Sequence, residues 1–189
     1  AWVSKAHDRR RAEAASHGVK FGSYHFAHPA PGNAVAEAQH FLSVAKPQPG
    51  DLAPMLDLEL NDHGMGESAL TTWVENWFAE VARHTGSNRG LLYTKFNLAR
   101  RPKGVYLWTS RYSDNNAWPT VAKPFWRWFL WQFTDGKFGN PAAVPGIGHV
   151  DASTLHRGLK WVNLARVTLP KKGKKVKPKP TSNNPAPKP

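Results

Sequence analysis

Not one cysteine occurs in this 189-residue chain. Disulfides, zinc–thiolate centres and thiol nucleophiles are thereby excluded. Long apolar runs are missing too. None approaches the roughly 20 residues that a membrane-spanning helix needs, and the first residues carry no secretory pattern. Acids are scarce, 13 against 26 lysines and arginines, which leaves a net charge of +13. A chain this short of negative charge seeks polyanions: nucleic acid, anionic lipid or an anionic wall polymer. Paired Cys/His fingers and aromatic RNP motifs are absent, which turns the expectation away from nucleic acid.

What is present divides at residue 170. The stretch "PKKGKKVKPKPTSNNPAPKP" (170–189) holds seven lysines, no acid and almost no apolar side chain. It cannot bury enough surface to offset the entropy of ordering, so it reads as a disordered basic tail or linker. Residues 1–169 carry the remaining +6 and nearly all the aromatic side chains, including the nine tryptophans, and suit one folded domain.

Within 1–169, helical and strand patterns alternate. An Ala-rich helix ends at Gly18, and a strand follows over 19–26. Apolar residues at 35, 38, 41, 42 and 45 make a helical stripe behind Asn33, a candidate cap. A strand over 52–60 precedes a second helix, capped by Ser68 and closed by Gly86, with 70, 74, 77, 78 and 81 on one face. Four more strands are expected over 89–94, 104–110, 128–134 and 148–153. Such alternation implies an α/β fold with parallel strands joined by right-handed crossovers. No Gly-rich phosphate loop follows any strand, and polar groups sit near the ends of several: Tyr24, His25, Asp57, Glu59, Tyr93, Trp108, Gln132 and Asp151. A TIM-like (β/α) barrel gathers such ends on one face, where its chemistry is placed, so the barrel is favoured over an open nucleotide-binding sheet.

The strand "LAPMLDLEL" holds the sharpest signal. Residues i and i+2 of a strand share a face, which places Asp57 and Glu59 together with Met55 and sets Leu56, Leu58 and Leu60 opposite. Two carboxyls so close repel and lose hydration, so at least one holds its proton to higher pH. That is what a general acid needs to protonate a leaving oxygen, and with aromatic side chains nearby it suits glycoside hydrolysis. A metal site built on the two acids with His25 or His63 is the rival use. No His-x-x-x-His or dense acidic loop supports it.

"FGSYHFAHP", "PMLDLEL", "LLYT", "LWTSRYS", "WQFT" and "VPGIGHVDAS" occur in the order found in glycoside hydrolase family 25, which the chain resembles over about residues 1–155. These are the Chalaropsis-type lysozymes, many of them bacteriophage endolysins. The resemblance implies a barrel that acts at the bacterial cell wall, from a lysin released out of the host cytoplasm or secreted. It implies cleavage of the β-1,4 bond between N-acetylmuramic acid and N-acetylglucosamine in peptidoglycan, by a monomer with no metal or organic cofactor. By the family's Asp-x-Glu motif, Glu59 is the general acid, while Asp57 assists through the substrate's 2-acetamido group or steadies the transition state. Asp151 lines the same cleft, and Tyr24, His25, Tyr93, Trp108 and Gln132 surround the sugar. The family's first strand, roughly Asp-Val-Ser, and a second ending in Glu-Gly have no counterpart here. Six of eight strands are therefore expected, with one cleft acid absent. A truncated barrel that binds wall glycan without cutting it is the alternative expectation.

Overall fold

The computed structural model describes residues 3–112, 117–141, 143, 145–159 and 168–169. The expectation for 170–189 lies outside them. Among the described residues, three helices and six strands follow in the order α1 (His7–Ser16), β1 (Tyr24–Phe26), α2 (Ala34–Ala45), β2 (Met55–Leu58), α3 (Glu67–Thr85), β3 (Gly90–Thr94), β4 (Val105–Ser110), β5 (Leu130–Asp135) and β6 (Asp151–Leu155). The strands form one sheet in sequence order, β1 to β6, so among the described residues each of the two outermost strands has a strand partner on one side only. The result is a curled six-stranded sheet, half of a barrel wall.

Helix α3 forms because Leu70, Trp73, Val74, Trp77, Phe78 and Val81 recur at helical spacing and are all buried. Its ends suit the helix dipole, with Glu67 in the first turn and Arg83 and His84 in the last. Gly86 ends it in a left-handed turn (φ +70°), its N–H donating to the Ala82 carbonyl at 2.8 Å. The cap at the other end is Gly66 and not Ser68, two residues earlier than expected. Asn33 does precede α2, yet its side chain makes no cap bond to that helix. Its Oδ1 instead accepts from the Ala30 amide and from Trp73 Nε1 (2.6 Å), which ties the β1–α2 loop to α3. Where α3 lies on β3, a Cβ at Gly90 would fall 2.2 Å from the Phe78 ring, so that position must be glycine.

Strands β1 to β5 are parallel, as the alternation implied. Two features differ from that pattern. After β3 no further helix occurs among the described residues, and β6 runs antiparallel to β5. Two apolar clusters result. The larger lies between the helices and the outer face of the sheet, around Leu56, Leu58, Trp77, Leu92 and Leu107. The smaller one, Ala53, Leu91, Phe129 and Leu155, fills the lower part of the concave inner face. No helix among the described residues is long and apolar enough to cross a membrane.

Candidate active site

The strand register aligns two rows of side chains above that smaller cluster. One row runs Phe26, Asp57, Tyr93, Trp108, Leu130 and Leu155 across all six strands. The next, toward the C-terminal ends of β4 and β5, contains Ser110, Gln132 and Ser153. Glu59 lies one residue past the end of β2, half-buried, beyond Asp57. Because β6 is antiparallel, its first residue sits at the same end: Asp151 pairs with Asp135 and is exposed there.

These side chains are linked. Burial first, then the charge of Glu59 and a hydrogen bond with it, push the Asp57 carboxyl up to about 7. Asp57 Oδ1 is buried without a hydrogen-bond partner. The Tyr93 ring meets the Trp108 ring edge-on at 5.2 Å, and Trp108 Nε1 donates to Ser153 Oγ at 3.1 Å. Burial raises the Tyr93 hydroxyl, which is hydrogen-bonded to Ser110 and Tyr112 and lies within the field of Glu59. Tyr112 is raised in turn, by burial and by the charges of Asp135 and Asp151, against the hydrogen bond with Tyr93. A continuous polar belt therefore runs from the Asp57–Glu59 pair on β2 through Tyr93 and Tyr112 to Asp151 on β6. Gln132 is buried on the floor of the belt.

Of the eight residues singled out in the sequence, the fold brings Asp57, Glu59, Tyr93, Trp108, Gln132 and Asp151 to this concave face. Tyr24 shares the face but lies on edge strand β1, paired with Met55 and 61% exposed. His25 is the correction. It pairs with Leu56 and points to the outer face, where Nε2 lies 2.8 Å from Glu37 Oε2 on α2 and the ring stacks on Trp77 of α3. Alternation along a three-residue strand forces this: with Tyr24 and Phe26 facing inward, His25 faces the helices. Its ring packs against the helical layer. Phe26, beside Asp57, and Tyr112 are the positions that sequence reasoning missed. Tyr112 was legible, since Trp108, Ser110 and Tyr112 fall at i, i+2 and i+4 of the same strand and its extension.

A groove of about 900 Å³ follows the free edge of β1, lined by Phe21, Tyr24, His25, Phe26, Phe41 and Asp57 among others. It reaches the acid pair from the side and does not include Glu59. No group of three or more His, Asp or Glu side chains is arranged to hold a metal ion among the described residues.

The family model for glycosyl hydrolases family 25 matches residues 2–139. No curated protein matches the chain. Among solved structures, a muramidase from Acremonium alcalophilum is similar at 23% identity and TM-score 0.67, over 88% of this chain and 81% of that one. A bacterial lysozyme from Streptomyces coelicolor gives 22% identity and TM-score 0.69 over the same shares. A muramidase from Trichobolus zukalii gives 20% and 0.70, over 89% of this chain and 82% of its own. At such identities the likeness establishes the shared fold.

Proposed function

The chain belongs to glycosyl hydrolases family 25 and is a glycoside hydrolase, and from that premise we propose that it hydrolyses peptidoglycan at the β-1,4 bond between N-acetylmuramic acid and N-acetylglucosamine, as a lysozyme acting in cell-wall lysis. The observation that carries the reading is the Asp57 carboxyl, raised to about 7 by burial and by its hydrogen-bonded neighbour Glu59, at the end of a strand beside an aromatic wall. A muramidase needs a carboxylic acid that is still protonated when a sugar oxygen must leave.

In this reading Glu59, the outer member of the pair, delivers the proton to the glycosidic oxygen. Asp57, buried behind it, assists the reacting sugar through its 2-acetamido group and supplies the hydrogen bond that keeps the proton within the pair. Asp151 faces them from the far end of the belt and stabilises positive charge developing on the ring. Tyr93, Trp108 and Gln132 are the sugar-contacting wall and floor, and Tyr24 extends the wall toward β1. The similarity of the fold to muramidases and a lysozyme supports the choice of glycan. So does the positive charge of the chain, which suits an anionic wall. Closure of this half-barrel into a full (β/α) barrel is the architecture the family resemblance implies.

The test is clearance of a purified peptidoglycan suspension by wild type and by Glu59→Gln. Loss of a positioned general acid lowers the rate by about 10²–10⁴-fold. Equal clearance by both proteins overturns the assignment of Glu59. Co-sedimentation with walls and no clearance by either makes the chain a glycan-binding module. Activity of the wild type should also fall as pH rises through about 7, where Asp57 gives up its proton.

A further inference from the structure

The outer face of the sheet at β4–β6 carries a surface that the chemistry above does not use. Trp131 and Trp128 are buried there, on the side opposite Gln132. Trp118 stacks on Trp128 at 5.7 Å and is 47% exposed. The Arg157 guanidinium lies 4.7 Å over the Trp118 ring, and that of Arg127 lies 4.4 Å over Trp126, which is 68% exposed. The two arginines converge, because the His156 amide bonds to the Phe129 carbonyl and brings the 126–129 segment beside 156–157. Burial first, and then both positive charges, hold the His156 imidazole below its ordinary value. Arg111 stands at the margin, Nη1 donating to the Trp118 carbonyl at 3.0 Å. None of the three arginines forms an ion pair with a carboxylate among the described residues.

This differs from an ordinary solvated basic face. The arginines with carboxylate partners elsewhere, Arg11 with Asp51, Arg83 with Glu80 and Arg100 with Glu75, show what the chain does with charges it neutralises. Here two guanidiniums are laid on indole rings, which limits their rotamers while leaving their N–H forks open. Forks held in place and unpaired match phosphate oxygens that recur along a chain, and the exposed edges of Trp118 and Trp126 offer apolar surface to the carbons between them.

We propose that Arg127 and Arg157, set on Trp126 and Trp118, form a second binding site on the outer face of the sheet for a phosphodiester-linked anionic wall polymer. The site holds the chain on the wall while the concave face is free to engage glycan. Its role in lysis rests on the wall-hydrolase reading; its binding does not.

The test compares wild type with Arg127→Gln/Arg157→Gln and with Arg127→Lys/Arg157→Lys. Both arginines are exposed, so thermal midpoints close to wild type are expected and are measured first. The probes are purified poly(glycerol phosphate), peptidoglycan stripped of phosphodiester polymer, and a DNA duplex of equal charge. Two lost charge-assisted contacts weaken binding to poly(glycerol phosphate) by about tenfold or more and flatten its salt dependence. The lysine pair recovers only part of this, because a point charge replaces a planar fork. Clearance of stripped peptidoglycan stays unchanged in both variants. Unaltered polymer affinity in the glutamine pair overturns the proposal, and so does full recovery by the lysine pair, which would reduce the site to net charge. A loss confined to the DNA duplex makes the surface a nucleic-acid site and also overturns it. A wild type that binds polymer but clears no peptidoglycan refutes the hydrolase reading and leaves the site standing.

Discussion

Glu37, on helix α2 against the outer face of the sheet, and Asp57, on the inner face of β2, are carboxyls whose surroundings push them in opposite directions. Glu37 is met by partners. Burial raises it, but hydrogen bonds from His25 and the His28 amide outweigh burial and hold it below its ordinary range. Asp57 is met by another acid. Burial and Glu59 act in the same sense, one oxygen has no partner, and the group is raised to about 7. The first arrangement is how a fold secures a charge it needs for stability. The second leaves a charge unsatisfied, which a sequence selected for stability alone would replace. The sign of the shift thus separates scaffold from site, and the one-residue alternation between His25 and Phe26 is what assigns each face.

Substitutions can break this contrast from either side. The largest stability effect is expected on the scaffold side, at Trp77, which is fully buried under His25 and Phe41. Trp77→Ala should destabilise by about 3–5 kcal/mol, read from urea unfolding. A cost below 1 kcal/mol would mean that the helical layer is not packed as described. His25→Ala comes next. It strips Glu37 of a charge-assisted hydrogen bond, for about 1.5–3 kcal/mol. Glu37 has a depressed folded value, so its contribution is present above its ordinary 4.5 and is lost as pH falls through the folded value. The variant should therefore lose less stability than wild type on acidification, while its rate on peptidoglycan per folded molecule is unchanged. A rate loss matching that of Glu59→Gln would return His25 to the cleft.

How much of this was legible beforehand depended on periodicity. The helical stripe at 70–81 and the alternation through Asp57 and Glu59 are long or clean enough to place both correctly. Gln132 and Asp151 followed from strand ends, although the reversal of β6 did not, since nothing in 136–150 states the direction of return. His25 failed for a physical reason. The strand expected over 19–26 is only three residues long, and polar character near a strand end does not say which face a residue takes. Tyr112 was passed over because it lies two residues beyond the end of β4, where the alternation that began in the strand still holds. The shared proton, too, went to the less expected partner. Repulsion between the two acids was foreseen, but its assignment to Asp57 required knowing that Asp57 is the deeper member, within the sheet, with Glu59 past its edge.

The smallest expected effect is also the most direct test of the site side. Asp57 has a raised folded value, so its protonated form is favoured by folding. The associated stability is fully present below the unfolded value near 3.8 and is lost as pH rises through about 7. Converting the whole shift would give about 4 kcal/mol, but the carboxyl is at the mouth of an open face, and solvent screening reduces the expectation to about 1–2 kcal/mol. Asp57→Asn, which mimics the protonated acid and cannot ionise, should unfold like wild type at pH 3, below the unfolded value, and become the more stable protein by that margin at pH 8. Glu59→Gln should give part of the same gain, since it removes the second and third causes of the shift and leaves burial. Stability gained at pH 8 with hydrolysis lost is the combination expected of a strained pair kept for chemistry. An Asp57→Asn protein less stable than wild type at pH 8 would show that the carboxylate is anchored after all, and that the contrast with Glu37 does not hold.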